Sequence, residues 1–322
     1  MINVTKTYLP PIEEYQSYIK KIWENGWITN NGPLVIELEQ KLKEYLSVSQ
    51  LIYCGNGTIA LQIAIKALEL KNEIITTPFS YVATANSILW ENCKPLFVDI
   101  NPQTFCIDAD KIEAAITKDT EAILAVHVYG VPCEVEKIEA ISNKHNLKVI
   151  YDGAHAFGVK VNGRSIFSYG NISTCSFHAT KLFHTIEGGA VIATDHLLNE
   201  KVNLLRQFGH IYDEYRSIGI NGKNSEFHAA MGLCNIIRID ELIEKRKIVC
   251  ELYDSLLSAL PLQKLSIANN VQYNYAYYPV VFENEKNLIA AMEMLKNENI
   301  IPRRYFYPSL NTLSHIQYAA CP

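Results

Sequence analysis

Through the middle of the chain, short apolar or β-branched runs alternate with stretches whose apolar positions recur at helical spacing. Runs at 51–54, 73–77, 95–99, 122–127, 148–152, 172–177 and 190–194 predict strands; 58–70, 81–91, 110–115 and 135–144 predict helices between them. Several of the runs are apolar without alternation, which predicts burial on both faces and mostly parallel pairing. The pattern therefore predicts an α/β core, a sheet covered by helices on both sides, from about residue 20 to about residue 240. Beyond it the texture changes: a charged helical stretch over 240–260, a strand over 273–282 and a helix over 286–298 predict a smaller α+β domain. The expected division is 1–240, an N-terminal segment and large domain, and 241–322, a small C-terminal domain. With no repeat, low-complexity stretch or long Gly/Ser linker between them, the two are expected to pack closely.

At 322 residues, 48% of them hydrophobic, the chain can fill both cores. A net charge of -5 gives no basic surface for nucleic acid, so a nucleic-acid partner is not expected. The first twenty residues lack the pattern of a signal peptide, and no run approaches the roughly 18 apolar residues that a membrane helix needs. The eight cysteines are scattered, without a C-x-x-C pair or a histidine placed to complete a zinc site. That fits reduced, packed thiols in a cytoplasmic protein and no metal site.

The most informative stretch is Tyr151-Asp152-Gly153-Ala154-His155, followed by Ser176-Phe177-His178-Ala179-Thr180-Lys181 and then Glu187-Gly188-Gly189. In an open α/β sheet, ligands bind beyond the carboxyl ends of the strands, and Asp152 and Ser176 both fall at such ends. Two strand ends thus bring an acid, a hydroxyl and an amine to one crevice. A carboxylate there can keep a pyridine nitrogen protonated, and a lysine can bond a carbonyl carbon. From these residues alone, Asp152 as a helix cap and Lys181 as a surface charge remain open. Upstream, Tyr53-Cys54-Gly55-Asn56-Gly57-Thr58 passes from a strand into a helix, where free amides and the Thr58 hydroxyl can hold a phosphate. Plain capping competes with that reading. The stretch has neither a P-loop lysine nor the spacing of a dinucleotide fold. At Thr77-Pro78-Phe79-Ser80-Tyr81 an aromatic ring could stack on a flat ligand, with core packing as the alternative for Phe79 and Tyr81.

Taken together, these stretches resemble the DegT/DnrJ/StrS family of nucleotide-sugar aminotransferases. The resemblance runs from Gly32-Pro33-Leu34-Val35 to Arg303-Arg304-Tyr305-Phe306-Tyr307-Pro308, nearly the whole chain. It implies the aspartate-aminotransferase-like fold type I, with a mainly parallel seven-stranded sheet between helices, and pyridoxal 5'-phosphate as cofactor. It further implies that Lys181 carries the cofactor covalently, that Asp152 pairs with the pyridine nitrogen, and that Tyr81 stacks on the ring. His155 would lie near the phenolic oxygen, where family members place a Gln or His. Gly57, Thr58 and Ser176 would hold the phosphate, helped by Asn221 from a neighbouring subunit, which implies a homodimer with shared active sites.

The reaction so implied is an exchange in which L-glutamate leaves as 2-oxoglutarate and a nucleotide-linked keto-sugar receives the amino group. The lysine at 181 favours transamination over the dehydration run by relatives with a histidine there. Val126-His127-Val128-Tyr129-Gly130-Val131-Pro132 and Gly219-Ile220-Asn221-Gly222-Lys223-Asn224-Ser225-Glu226 are most similar to members that act on dTDP-linked 4-keto-6-deoxyhexoses to give dTDP-4-amino-4,6-dideoxy-D-glucose. Amination at C3, or an inactive cofactor-binding partner subunit, stands as the alternative. Such sugars feed O-antigen, lipopolysaccharide or antibiotic glycosylation. Relatives are expected to continue some way beyond Ala320-Cys321-Pro322 with a further strand and helix.

Overall fold

The structure, a computed structural model, describes residues 1–316 and 321; Ala320 and Pro322, at the chain end discussed above, lie outside them. Seven strands form the central sheet: β1 Ile52–Cys54, β2 Glu73–Thr76, β3 Lys94–Phe97, β4 Thr120–Val126, β5 Lys148–Asp152, β6 Ile172–Ser176 and β7 Gly189–Ala193. Their spatial order is β1-β7-β6-β5-β4-β2-β3. All neighbours are parallel except β7, which runs antiparallel to both β1 and β6. All seven predicted strands are present. Their apolar runs are buried because helices cover both faces, as non-alternating strands require.

The helices are α1 Ile12–Asn25, α2 Pro33–Leu46, α3 Gly57–Ala67, α4 Val82–Trp90, α5 Ala109–Ala115, α6 Val135–His145, α7 His196–Arg206, α8 Glu226–Ile236, α9 Ile239–Leu256 and α10 Glu285–Asn297. Of these, α1, α2, α7 and α8 are additions to the predicted set. The helix α8 is buried along almost its whole length, so it has no polar face and no amphipathic period to read. It packs against α2, and the buried Glu226 accepts hydrogen bonds from the first amides of α2, Leu34 N–H at 2.8 Å and Val35 N–H at 2.9 Å. A carboxylate at a helix N-terminus satisfies orphan donors and complements the helix dipole.

The predicted strand at 273–282 is corrected. Only Val271–Gln272 and Val280–Val281 are strands, and the backbone between them is irregular, with Tyr275 at φ 50°. Its polar groups are committed elsewhere. The buried Asn274 donates to the carbonyls of His155 and Phe157, both at 2.9 Å, and the Tyr273 hydroxyl donates to the Tyr129 carbonyl at 2.7 Å. Residues Ile2–Asn3 pair in parallel with Ile300–Ile301, and Leu310 and Ile316 pack on Ala85 and Phe97. Seven of the eight free cysteines are buried. No helix among the described residues is long and apolar enough to cross a membrane.

Candidate active site

The site gathers at the carboxyl edge of the sheet. Asp152 ends β5 and Ser176 ends β6, which are adjacent and parallel. The antiparallel β7 lets β1 run in the same direction as β6, so the β1-to-α3 turn opens on the same edge.

Asp152 is buried, and its two oxygens are used separately: Oδ2 accepts from the Thr84 hydroxyl at 2.9 Å and Oδ1 from the Ala154 amide at 3.1 Å. Ser80 Oγ lies 2.9 Å from Thr84 Oγ1. Because the Thr84 proton is given to Asp152, Ser80 is the donor, forming a short relay into the carboxylate. Burial pushes Asp152 above the ordinary carboxylate range; the two hydrogen bonds and the Lys181 charge oppose that rise. Burial also pulls the partly buried Lys181 below the usual lysine range, against the opposing charge of Asp152 and the influence of Tyr305 and Tyr81. The chain after Asp152 is turn, not helix, so Asp152 caps no helix, and Lys181 is not a solvated surface charge.

The second part lies at the start of α3. Asn56 caps the helix, its side chain accepting from the Ile59 amide at 2.8 Å. A Cβ added to Gly57 would stand 2.8 Å from Ser176 Cβ and 3.2 Å from its Oγ. Only a glycine lets this turn sit against the end of β6, so α3 begins beside the Ser176 hydroxyl, with Thr58 exposed in its first turn. A Cβ on Gly189 would come within 2.6 Å of Asn56, so β7 also presses against the turn from beneath.

The two rings left open as core or site separate. Phe79 packs with Phe105, Tyr129 and Phe306, whereas Tyr81, just before α4, is 57% exposed and close enough to influence Lys181. His155 lies within reach of the Lys181 charge, its ring 4.5 Å from that of Tyr277. Asp152, His155, Tyr81 and Lys181 are thus brought together, with Gly57 and Ser176 as a second group along the same edge. Among the described residues Asn221 makes no hydrogen bond to these side chains: it is exposed, bridges to Gln207 and accepts from Lys223 Nζ at 2.9 Å, while the carbonyl of Gly222 beside it accepts from the Gly55 amide at 2.8 Å, at the turn into α3.

Several participants carry no sequence signal of their own. Thr84 is one threonine in an apolar helix. Tyr129, Tyr277, Tyr305 and Phe306 converge around His155 from widely separated segments. The aromatic-glycine pair Tyr129-Gly130, shortly after the end of β4, is the one signal that could have marked a special turn.

Residues 11–320 match the DegT/DnrJ/EryC1/StrS aminotransferase family. The chain belongs to this family. It is 44% identical to a dTDP-4-amino-4,6-dideoxy-D-glucose transaminase of Shigella dysenteriae, over 95% of this chain and 85% of that one. It is 43% identical to the enzyme of the same name from Escherichia coli, over 97% and 85%. Among solved structures it superposes on DesI, analysed in the presence of its TDP-sugar product, with TM-score 0.93 and 30% identity, covering 99% of this chain and 83% of that one.

This family member is an enzyme that transfers amino groups, has fold type I, and depends on pyridoxal phosphate. The residues present fit that cofactor. An amine with a lowered proton affinity faces a buried carboxylate held by hydroxyl and amide donors. The close approach of Gly57 to Ser176 sets the N-terminus of α3 beside the Ser176 hydroxyl, a donor set of the kind that holds an anionic group.

Proposed function

We propose that this chain transfers the amino group of L-glutamate to C4 of dTDP-4-keto-6-deoxy-D-glucose, giving dTDP-4-amino-4,6-dideoxy-D-glucose and 2-oxoglutarate. The observation that carries the chemistry is the buried Asp152 at the end of β5, held by the Thr84 hydroxyl and the Ala154 amide, with the Lys181 amine near enough for the two charges to act on each other. The sugar is taken from the two relatives at 43–44% identity that bear that product's name.

Pyridoxal phosphate, when bound, supplies the carbonyl carbon and the electron sink that amino-group transfer requires. Asp152 holds a proton on the pyridine nitrogen. Lys181 would hold the cofactor through its amine and would be the group that takes and returns the substrate's proton, a role suited to an amine with lowered proton affinity. Gly57, Thr58 and Ser176 hold the phosphate, Tyr81 covers the ring, and His155 faces the phenolic oxygen. The exposed Asn221 serves the site of a second subunit, so the working unit is a homodimer in the cytoplasm, feeding O-antigen or other lipopolysaccharide synthesis. Residues 1–240 and 241–322 act as large and small domains, with the buried core concentrated in the first.

The test is to incubate the protein with pyridoxal phosphate, L-glutamate and the 4-keto sugar and to read the amine position by NMR. An amine at C4 is expected. An amine at C3 would favour the alternative regiochemistry, for which a relative 32% identical, a UDP-2-acetamido-2-deoxy-3-oxo-D-glucuronate aminotransferase of Pseudomonas aeruginosa, gives precedent. A protein that stays colourless with added cofactor would point instead to an inactive partner subunit. Lys181→Ala should lose both the cofactor's visible absorption and turnover.

A further inference from the structure

His155 is held on several sides by two segments distant in sequence. The amide of Tyr129 donates to His155 Nδ1 at 3.1 Å. Tyr129 can aim that amide because it sits in the left-handed region, φ 55°, followed by Gly130 at φ 86°. Such a backbone is unusual for a bulky residue and persists only when its surroundings over-determine it. Here they do: the Tyr129 carbonyl accepts from the Tyr273 hydroxyl at 2.7 Å, and its ring is enclosed by Phe79, Phe105, Tyr277 and Phe306. Gly130 is pressed so near the His155 carbonyl that a Cβ would stand 2.8 Å from it. That carbonyl is in turn taken by Asn274, and the Tyr277 ring lies against the imidazole.

An imidazole nitrogen that accepts a hydrogen bond carries no proton, so in the neutral ring the other nitrogen must carry it. We propose that Tyr129 is a positioning residue whose left-handed backbone fixes His155 as the Nε2–H tautomer, making it a hydrogen-bond donor to an anionic oxygen of the ring bound between Asp152 and Lys181. Burial and the Lys181 charge hold His155 well below the ordinary histidine range, which keeps the ring neutral and the assignment unambiguous at neutral pH. A glutamine at this position has the same two functions, one acceptor for the Tyr129 amide and one donor for the ligand. The part of the proposal that concerns the ligand rests on the cofactor placement proposed above; the tautomer does not.

The first experiment therefore uses the cofactor-free protein. Long-range ¹H–¹⁵N correlation of ¹⁵N-histidine-labelled protein, with the His155 signals identified by their loss in His155→Gln, should show an unprotonated Nδ1 and a protonated Nε2. A protonated Nδ1 would overturn the proposal, whatever the cofactor does. Tyr129→Gly keeps both the amide and a residue at ease in the left-handed region, and should preserve the tautomer; Tyr129→Val disfavours that backbone and should give a mixture. An unchanged tautomer in a folded Tyr129→Val protein would show that the turn is not what fixes it. With cofactor and substrates present, His155→Leu should lose about tenfold or more in turnover and shift the absorption band, the loss expected for a charge-assisted hydrogen bond, and His155→Gln should recover part of both. If the tautomer is as proposed but His155→Leu leaves the band and turnover unchanged, the cofactor placement is at fault and the positioning role of Tyr129 stands.

Discussion

Thr84, inside α4, donates its hydroxyl hydrogen to Asp152 Oδ2, across 68 residues of sequence and at 2.9 Å. The bond opposes the rise that burial imposes on Asp152. Thr84→Val keeps the shape and removes the donor, so the carboxyl moves further up and holds its own proton to higher pH. The expected result is a loss of cofactor affinity of about tenfold, in line with ~1.5–3 kcal/mol for a hydrogen bond to a charged group. The acidic limb of the pH–rate profile should move to higher pH. Thr84→Ser should restore both, and titration of the apoprotein with pyridoxal phosphate, followed by absorbance, measures it.

Lys181 carries a second pH dependence. Because burial lowers its proton affinity, the neutral amine that bonds the cofactor appears as pH rises through a value below the ordinary ~10.4 of lysine. The rate of covalent loading of apoprotein should therefore rise with pH with a midpoint below that value. The Asp152 charge pulls the other way, so Asp152→Asn should move the midpoint lower still. A midpoint at the free-lysine value would show that the amine is solvated.

How far the sequence disclosed this arrangement depends on where each residue's partners lie. The strands were legible because burial on both faces leaves unbroken apolar runs, and Asp152, Ser176 and Lys181 stood out because strand ends are where an α/β sheet exposes chemistry. The helix α8 was not legible, since a helix buried all round has no period against which to read a face. The segment 273–282 read as a strand because its tyrosines and valines favour extended backbone. Tertiary demand prevailed there, as Asn274 and Tyr273 are committed to His155 and Tyr129, partners more than a hundred residues away. Thr84 was hidden for the same reason: its role exists only once α4 lies beside the end of β5.

Gly57 offers a steric test. Gly57→Ala places a methyl group 2.8 Å from Ser176 Cβ, closer than real carbons approach, so the turn or β6 must give. Overpacking of this kind costs about 1–3 kcal/mol. Cofactor affinity should fall by about tenfold; Ser176→Gly in the same chain, by removing the clashing atom, should return part of the lost stability but not the affinity, because it also removes the hydroxyl proposed to hold the phosphate. Equilibrium binding of pyridoxal phosphate distinguishes this from a general loss of folding, which circular dichroism would reveal.

Away from the site, Glu226 is fully buried with both carboxylate oxygens accepting amides at the start of α2. Glu226→Gln replaces one acceptor by an NH₂ group that faces an N–H donor, leaving an amide unsatisfied and two donors opposed. A loss of about 2–3 kcal/mol is expected, read as a lowered thermal midpoint of the apoprotein. Cofactor binding to the molecules that remain folded should change little, because the carboxylate's partners are the α2 amides and not Asp152, Ser176 or Lys181.

The position of Asn221 gives a test of shared sites. It is exposed and touches Gln207 and Lys223, not Asp152, Ser176 or Lys181 of its own chain. If it completes the site of a second subunit, Asn221→Ala and Lys181→Ala are each defective alone, yet a mixed dimer rebuilds one intact site, with Lys181 from one subunit and Asn221 from the other. Equal amounts of the two variants, unfolded together and refolded, should then recover about a quarter of wild-type activity, because half of the dimers are mixed and each has one good site of two. If Asn221 acted within its own chain, every site in the mixture would still lack one of the two residues and no activity would return. Activity of the refolded mixture against that of each variant refolded alone therefore decides between a site built by one chain and a site built by two.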